Sequence, residues 1–189
     1  MVKSKRVLKV AAADEIRRAL VKEDVKKIQH YPLDGCIRFS SRIKEERVLS
    51  NMYPCTLEVE EKGEVLRFNS AEQMFQYFLF ASLPDVQEVI YRCSSAFLAK
   101  RVAQRNKRKL MVIPDVELLL KRCHMVKYLQ CEAFRNRLIA SASAPLVEYA
   151  EWGDVHYGVC ELDGELIGCN ICGRSMMYVR GLMECRMAA

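Results

Sequence analysis

Gly153-Asp154-Val155-His156-Tyr157-Gly158, with Gly168, Asn170 and Gly173-Arg174 after it, is the stretch around which the rest of the chain reads. An acid, a histidine and a tyrosine stand between glycines, and a Gly-X-Asn-X-X-Gly run follows. Glycine at this density brings backbone close to something, or makes turns that place side chains. Leu146-Val147-Glu148-Tyr149 delivers the chain to this loop, and Ser175 to Arg180 resumes a helical pattern beyond it. A polar loop between apolar segments is where sites are commonly built. A long connection without chemistry is the plain alternative.

The chain around the loop has 189 residues, 51% of them hydrophobic, enough for one cored domain plus an extension. No apolar run approaches membrane-spanning length, and the basic N-terminus lacks the apolar stretch of a signal peptide. A cytoplasmic, reducing setting without membrane contact is therefore expected. Nine scattered cysteines, many at apolar helix positions, suggest core thiols and no disulfide framework. The net charge is +6, and residues 1–30 hold nine Lys/Arg against four Asp/Glu. Lys100, Arg101, Arg105, Lys107, Arg108 and Lys109 form a second basic block with no acid inside it. Such blocks suit phosphate-bearing partners, nucleic acid among them, and are equally often solvated faces.

Tyr31-Pro32-Leu33-Asp34-Gly35 is a turn signal. It divides a basic N-terminal extension, 1–34, from a domain, 35–189. Within the extension the pattern allows a helix from Asp14 to Ile28. Cys36–Ser40 alternates as a short strand, and Cys55–Glu60 and Glu64–Phe68 form a hairpin turning at Lys62-Gly63. Helices are predicted from about Asn69 to Ala81, Asp85 to Arg92 and Ser95 to Arg105, with a long one from Val116 to Ala140.

On that long helix Val116, Leu120, Cys123, Cys131, Phe134 and Leu138 fall in one arc about 80° wide, with Lys127 near its middle. An ammonium in an apolar stripe is expensive unless paired or deprotonated. Lys127 thus reads either as a structural ion pair or as a site lysine tuned for amine chemistry. Glu72 stands three residues after Asn69, which fits a capping box with Asn69 as N-cap. It also shares a face with Gln76 in an aromatic helix, which fits a carboxylate placed over a pocket. His156, Cys160, Cys169 and Cys172 have ligand types that suit zinc, but a lone Cys-X2-Cys among nine cysteines is a modest signal. Neither a metal nor a cofactor is expected.

Taken in order, these pieces resemble the NADAR (YbiA-like) family across about residues 36–184. Leu49-Ser50-Asn51-Met52-Tyr53-Pro54 is similar to its (F/L)SNFYP segment, and Ser70 to Gln76 to its S-x-E-x-x-x-Q helix start. Ala99-Lys100-Arg101, Val126-Lys127-Tyr128 and Leu146-Val147-Glu148 are similar to its AK, x-K-F and LVE segments. Asp154 to Gly158 resembles D-x-x-W-G, and Gly168 to Gly173, then Met177 and Arg180, resemble G-x-N-x-x-G and the closing helix. Tyr157 replaces the usual Trp, and Val112-Ile113-Pro114 occupies a region where the family favours Trp. Residues 159–167 form a longer link than usual.

The resemblance implies an α+β fold, mostly helical, with a small antiparallel sheet near the N-terminal part. It implies an N-glycosidase that hydrolyses a ribose C1–N bond. The substrate would be ADP-ribosylated guanine in DNA or a nucleotide, or a phosphorylated ribosyl-amine of riboflavin synthesis; a non-catalytic ADP-ribose binder is the further alternative. Glu72, Lys127 and Asp154 would be catalytic, with Lys127 acting as a cation or as a Schiff-base amine. Asn51, Tyr53, Gln76, Lys100, Arg101, Tyr157, Gly158, Gly168, Asn170, Gly173 and Arg174 would bind substrate.

Overall fold

The structure is a computed structural model that describes residues 13–151 and 153–187. Trp152 and the basic residues Lys3, Lys5, Arg6 and Lys9 lie outside the described residues. Helical residues 13–20 (α1) lead through a 3-10 turn, Val25–Lys27, into strand β1, Gln29–Tyr31. The helix expected to reach Ile28 thus ends about two turns early. Strand β2, Ile37–Phe39, precedes a hairpin of β3, Leu57–Glu61, and β4, Glu64–Phe68. Lys62 and Gly63 at its tip both have positive φ, 53° and 82°, the backbone of the two-residue turn that matches strand twist.

Helix α2, Ala71–Leu79, starts at Ser70, whose side chain accepts from Gln73 N. The Gln73 side chain reaches back to accept from Asn69 N at 2.8 Å. The capping box is therefore one residue later than the Asn69–Glu72 reading, and Gln73 fills the role considered for Glu72. Helices α3, Pro84–Tyr91, and α4, Ala96–Asn106, follow. Proline opens α3 where its missing N–H costs nothing, and Ser95 caps α4.

The long helix expected over 116–140 is two helices, α5, Val116–Gln130, and α6, Glu132–Ala140. Cys131 between them is extended, at φ −108° and ψ 98°. The last residue of α5 bonds the edge of β3. Gln130 Nε2 donates to Glu58 O at 2.8 Å, and Gln130 Oε1 accepts from Glu58 N at 2.7 Å. These bonds complete the strand's free edge at the place where the helix stops.

After α6 come β5, Leu146–Glu148, β6, Cys160–Leu162, β7, Glu165–Gly168, and the final helix α7, Ile171–Met187. Among the described residues the expected hairpin β3–β4 is one of three small sheets, and strands also occur in the C-terminal half. β1 and β6 flank β7 antiparallel, while β2 runs parallel to β5. A bridge between Tyr149 and Val159 ties the last two groups together.

Phe39, Leu57, Phe68, Met74, Leu120, Phe134, Leu138 and Val179 form the main core between the hairpin and helices α2, α5, α6 and α7. Each such side chain contributes about 1.5–3 kcal/mol on burial. The described part of the extension packs onto the fold. Ile16 packs on Val155, Cys160 and Leu162, and β1 supplies an outer strand. Among the described residues no helix is long and apolar enough to cross a membrane.

Candidate active site

A cavity of about 520 Å³ opens where α2, α4 and the loop 154–157 face one another. Six of the expected catalytic and substrate-binding residues line it: Asn51, Glu72, Gln76, Lys100, Asp154 and Tyr157. Glu148, His156, Cys172 and Glu23 line it as well. One side is apolar, with Phe75 and Tyr157 meeting edge to face at 6.0 Å. The other is ionic.

Because Gln73 does the capping, the Glu72 carboxylate is left to the cavity. Its Oε1 accepts from Gln76 Nε2 at 2.9 Å, one turn along α2, and the residue is buried. Asp154 Oδ1 accepts from the N–H of Tyr157 at 3.1 Å, which closes the loop and fixes the carboxylate at its start. Glu148 ends β5, where the sheet delivers the chain to the loop.

Lys100 on α4 is the ammonium of this wall. Its pKa is raised, chiefly by the charge of Glu72 and further by Glu148 and Asp154, against a lowering by burial. Burial raises the Glu148 carboxyl to about 7, although a hydrogen bond with the Cys172 thiol and the Lys100 charge oppose the shift. Glu148 Oε2 is shut off from solvent with no hydrogen-bond partner. Burial also raises the Tyr157 phenol and the Cys172 thiol, so both are neutral donors. Three carboxyl groups around one ammonium, with one carboxyl poised near neutrality, can stabilise developing positive charge and move a proton.

Asn51 is held by a residue that the sequence reading missed. His124 is fully buried on α5, with Nε2 2.7 Å from Asn51 Oδ1 and Nδ1 2.9 Å from Ser175 Oγ. Burial, aided by the Lys127 charge, lowers its pKa to about 3, so the ring is neutral. A neutral ring donating Nε2–H to the Asn51 oxygen and accepting from Ser175 satisfies both bonds. Its signal was available: His124 stands four residues after Leu120 and three before Lys127, at the edge of the same stripe.

The other expected residues lie elsewhere. Lys127 is fully buried behind the Asn51 loop, and its Nζ donates to Val48 O and Ser50 O, both at 2.8 Å. It sits 4.4 Å from the Phe134 ring centre and 5.8 Å from that of Tyr53. Neither Lys127 nor Tyr53 lines the cavity. Arg101 is exposed and reaches over Phe97. Arg174 pairs with Glu117 at 3.6 Å beside a second, smaller recess.

Asn170 is wholly buried and works as a clamp. It accepts from Glu148 N and donates to Leu146 O and the Tyr31 hydroxyl. Gly158, Gly168 and Gly173 serve close backbone packing. A Cβ at Gly158 would run into the Glu148 carbonyl, one at Gly168 into the Gly158 carbonyl, and one at Gly173 into the Leu146 carbonyl. The glycine-rich run therefore acts one layer behind the cavity, pressing β5 and its Glu148 into place.

The zinc set weighed from spacing is not assembled. The Cys160 thiol donates to Ala150 O, Cys172 faces Glu148, and Cys169 points at Glu23.

No protein-family model and no curated protein matches the chain. Among solved structures it is similar to the NMR structure of the E. coli protein YbiA. The match has a TM-score of 0.62 and 24% identity, and covers 85% of this chain and 91% of that one. The chain thus has a YbiA-like α+β fold.

Proposed function

We propose that the chain is an N-glycosidase that hydrolyses a ribose C1–N bond, releasing ADP-ribose from a guanine base of nucleic acid or of a nucleotide. The observation that carries this reading is the ionic wall: Glu72, Asp154 and Glu148 around Lys100, opposite Phe75 and Tyr157. The YbiA-like fold and the ordered sequence resemblance to the NADAR family support it.

As the C1–N bond lengthens, positive charge grows on the sugar. Glu72 and Asp154 offer carboxylates to that charge. Glu148, near neutrality, gives its proton to the leaving nitrogen and takes one from the attacking water, so C1 gains a hydroxyl and the base leaves protonated. Tyr157 and Phe75 form the apolar surface for a base or ribose ring. Lys100 takes over the part assigned from sequence to Lys127. Its raised pKa favours the ammonium in the resting site, where it can meet a phosphate or the leaving group.

Product analysis by mass spectrometry, with ADP-ribosylated DNA, ADP-ribosylguanosine and a phosphoribosylamino-pyrimidine in parallel, tests the reading. Release of free ADP-ribose from the first two is expected. Tight retention of ADP-ribose without release would make the chain a binding module, and release from the third alone would replace the substrate. Lys100→Arg separates two roles for the amine: retained activity fits a cation, whereas loss together with a borohydride-trapped adduct would mean that the amine attacks C1.

A further inference from the structure

At the rim of the cavity three side chains from separate segments converge. Glu23 comes from the extension, His156 from the loop and Cys169 from the end of β7. Glu23 Oε2 lies 2.8 Å from His156 Nδ1 and 3.6 Å from Cys169 Sγ. The three candidate ligand atoms all lie within 4.8 Å of one another. We infer that Glu23, His156 and Cys169 form a binding site for a divalent transition-metal ion of borderline softness, Zn²⁺ first.

The donor set is the first reason. One carboxylate oxygen, one imidazole nitrogen and one thiol are the three ligand types that zinc accepts, and three protein ligands with an open position is its arrangement in sites that bind a further group. Hard cations such as Mg²⁺ or Ca²⁺ would not choose a thiol and an imidazole. Spacing is the second reason. Ligand bonds of about 2.0–2.3 Å set tetrahedral neighbours roughly 3.3–3.8 Å apart, so His156 and Glu23 need only part slightly to admit the ion. Placement is the third. Cys169 is fully buried, while Glu23 and His156 both line the cavity, so the remaining position is left to water or to a phosphate oxygen.

Without the ion, the imidazole N–H and the thiol S–H both point at one carboxylate oxygen. Metal binding replaces these two donors, the thiol proton leaves to solvent, and the ring Nδ1 must be the unprotonated nitrogen. Affinity should therefore rise with pH. Charge favours the exchange, because a dication between a carboxylate and a thiolate is neutral overall.

Metal binding by the full reduced chain decides the matter, independently of any turnover. Titration with Co²⁺ should give one ion per chain, with a thiolate-to-cobalt charge-transfer band, and Zn²⁺ should displace it. Cys169→Ser should abolish the band, and Glu23→Gln and His156→Ala should each weaken binding by at least about tenfold, the scale seen even for outer partners of metal ligands. Cys185→Ser, at the exposed cysteine, should change nothing. No stoichiometric binding would overturn the inference. So would a band that survives Cys169→Ser, which would place the metal on other thiols. If Cys169→Ser fails to fold, Glu23→Gln decides alone. Glycosidase activity in a chain that takes up no ion in the titration would sink this site and leave the proposed reaction standing.

Discussion

Burial holds the Glu148 carboxyl at about 7, against an ordinary 4.5, and this has a measurable sign. Between those values the folded chain keeps a proton that the unfolded chain has released. Its contribution to stability is full below about 4.5 and is lost as pH rises through about 7. Glu148→Gln should therefore flatten the fall in stability between about pH 4.5 and pH 7 in urea titrations. In the proposed reaction it should also lower kcat/KM by about a hundredfold or more and remove a limb of the pH profile near neutrality. Lys127 has the opposite sign. Burial lowers its pKa to about 8 from 10.5, so as pH climbs between these values the unfolded chain holds the proton longer and the fold gains stability. The difference between wild type and Lys127→Met should grow over that range, because the neutral amine still donates to the Val48 and Ser50 carbonyls. At neutral pH the methionine should cost about 2–4 kcal/mol, since two carbonyls lose their donor. A methionine variant as stable as wild type at pH 7 would show that water replaces the amine.

At the scale of elements, helix α2 separates chemistry from stability within two adjacent residues. Glu72→Gln keeps the Ser70–Gln73 cap and should leave the melting temperature almost unchanged while abolishing turnover. Ser70→Ala should cost about 1 kcal/mol through the cap. Equal thermal losses in the two variants would mean that Glu72 is structural. The sequence could not rank them, because Asn69-X-X-Glu72 and Ser70-X-X-Gln73 are equally good boxes, and only the extended backbone of Ser70 decides. The hairpin, by contrast, was legible from Lys62-Gly63 and its flanking alternation, and the helices expected from about Asp85, Ser95 and Val116 begin at Pro84, Ala96 and Val116. The break at Cys131 was not, since neither proline nor glycine marks it and its cause is the distant backbone of Glu58. Lys127 shows the limit of the stripe argument. Periodicity found its burial correctly but could not tell a cavity wall from the underside of a loop, because its partners, Val48 and Ser50, lie far away in the chain.

For the whole molecule, the pairing of β2 with β5 and of β1 with β7 joins segments more than a hundred residues apart, which no local pattern contains. The same distance hid Glu148 and Glu23, which become cavity residues only after those pairings form. Charge at the cavity mouth is the property that reaches furthest from the site. Lys107 lines the opening, with exposed Arg108 and Lys109 beside it, and exposed Met111, Val112 and Ile113 follow. If nucleic acid carries the substrate base, neutralising these three cations together should flatten the log–log salt dependence of binding by up to about three units. A slope unchanged by that triple substitution, measured by fluorescence anisotropy, would leave a free nucleotide as the substrate.

The glycines behind the site set the terms on which it could be redesigned. At Gly158, Gly168 and Gly173 one backbone segment rests directly on another, so no mutational path can place a side chain there without parting the layers. The polar wall is thereby fixed in its coordinates, and invention is confined to what faces it. Retargeting this scaffold to a different leaving group is a task for positions 110–113 and for the ring at Tyr157, which can vary in bulk while the carboxylates stay where the glycines hold them.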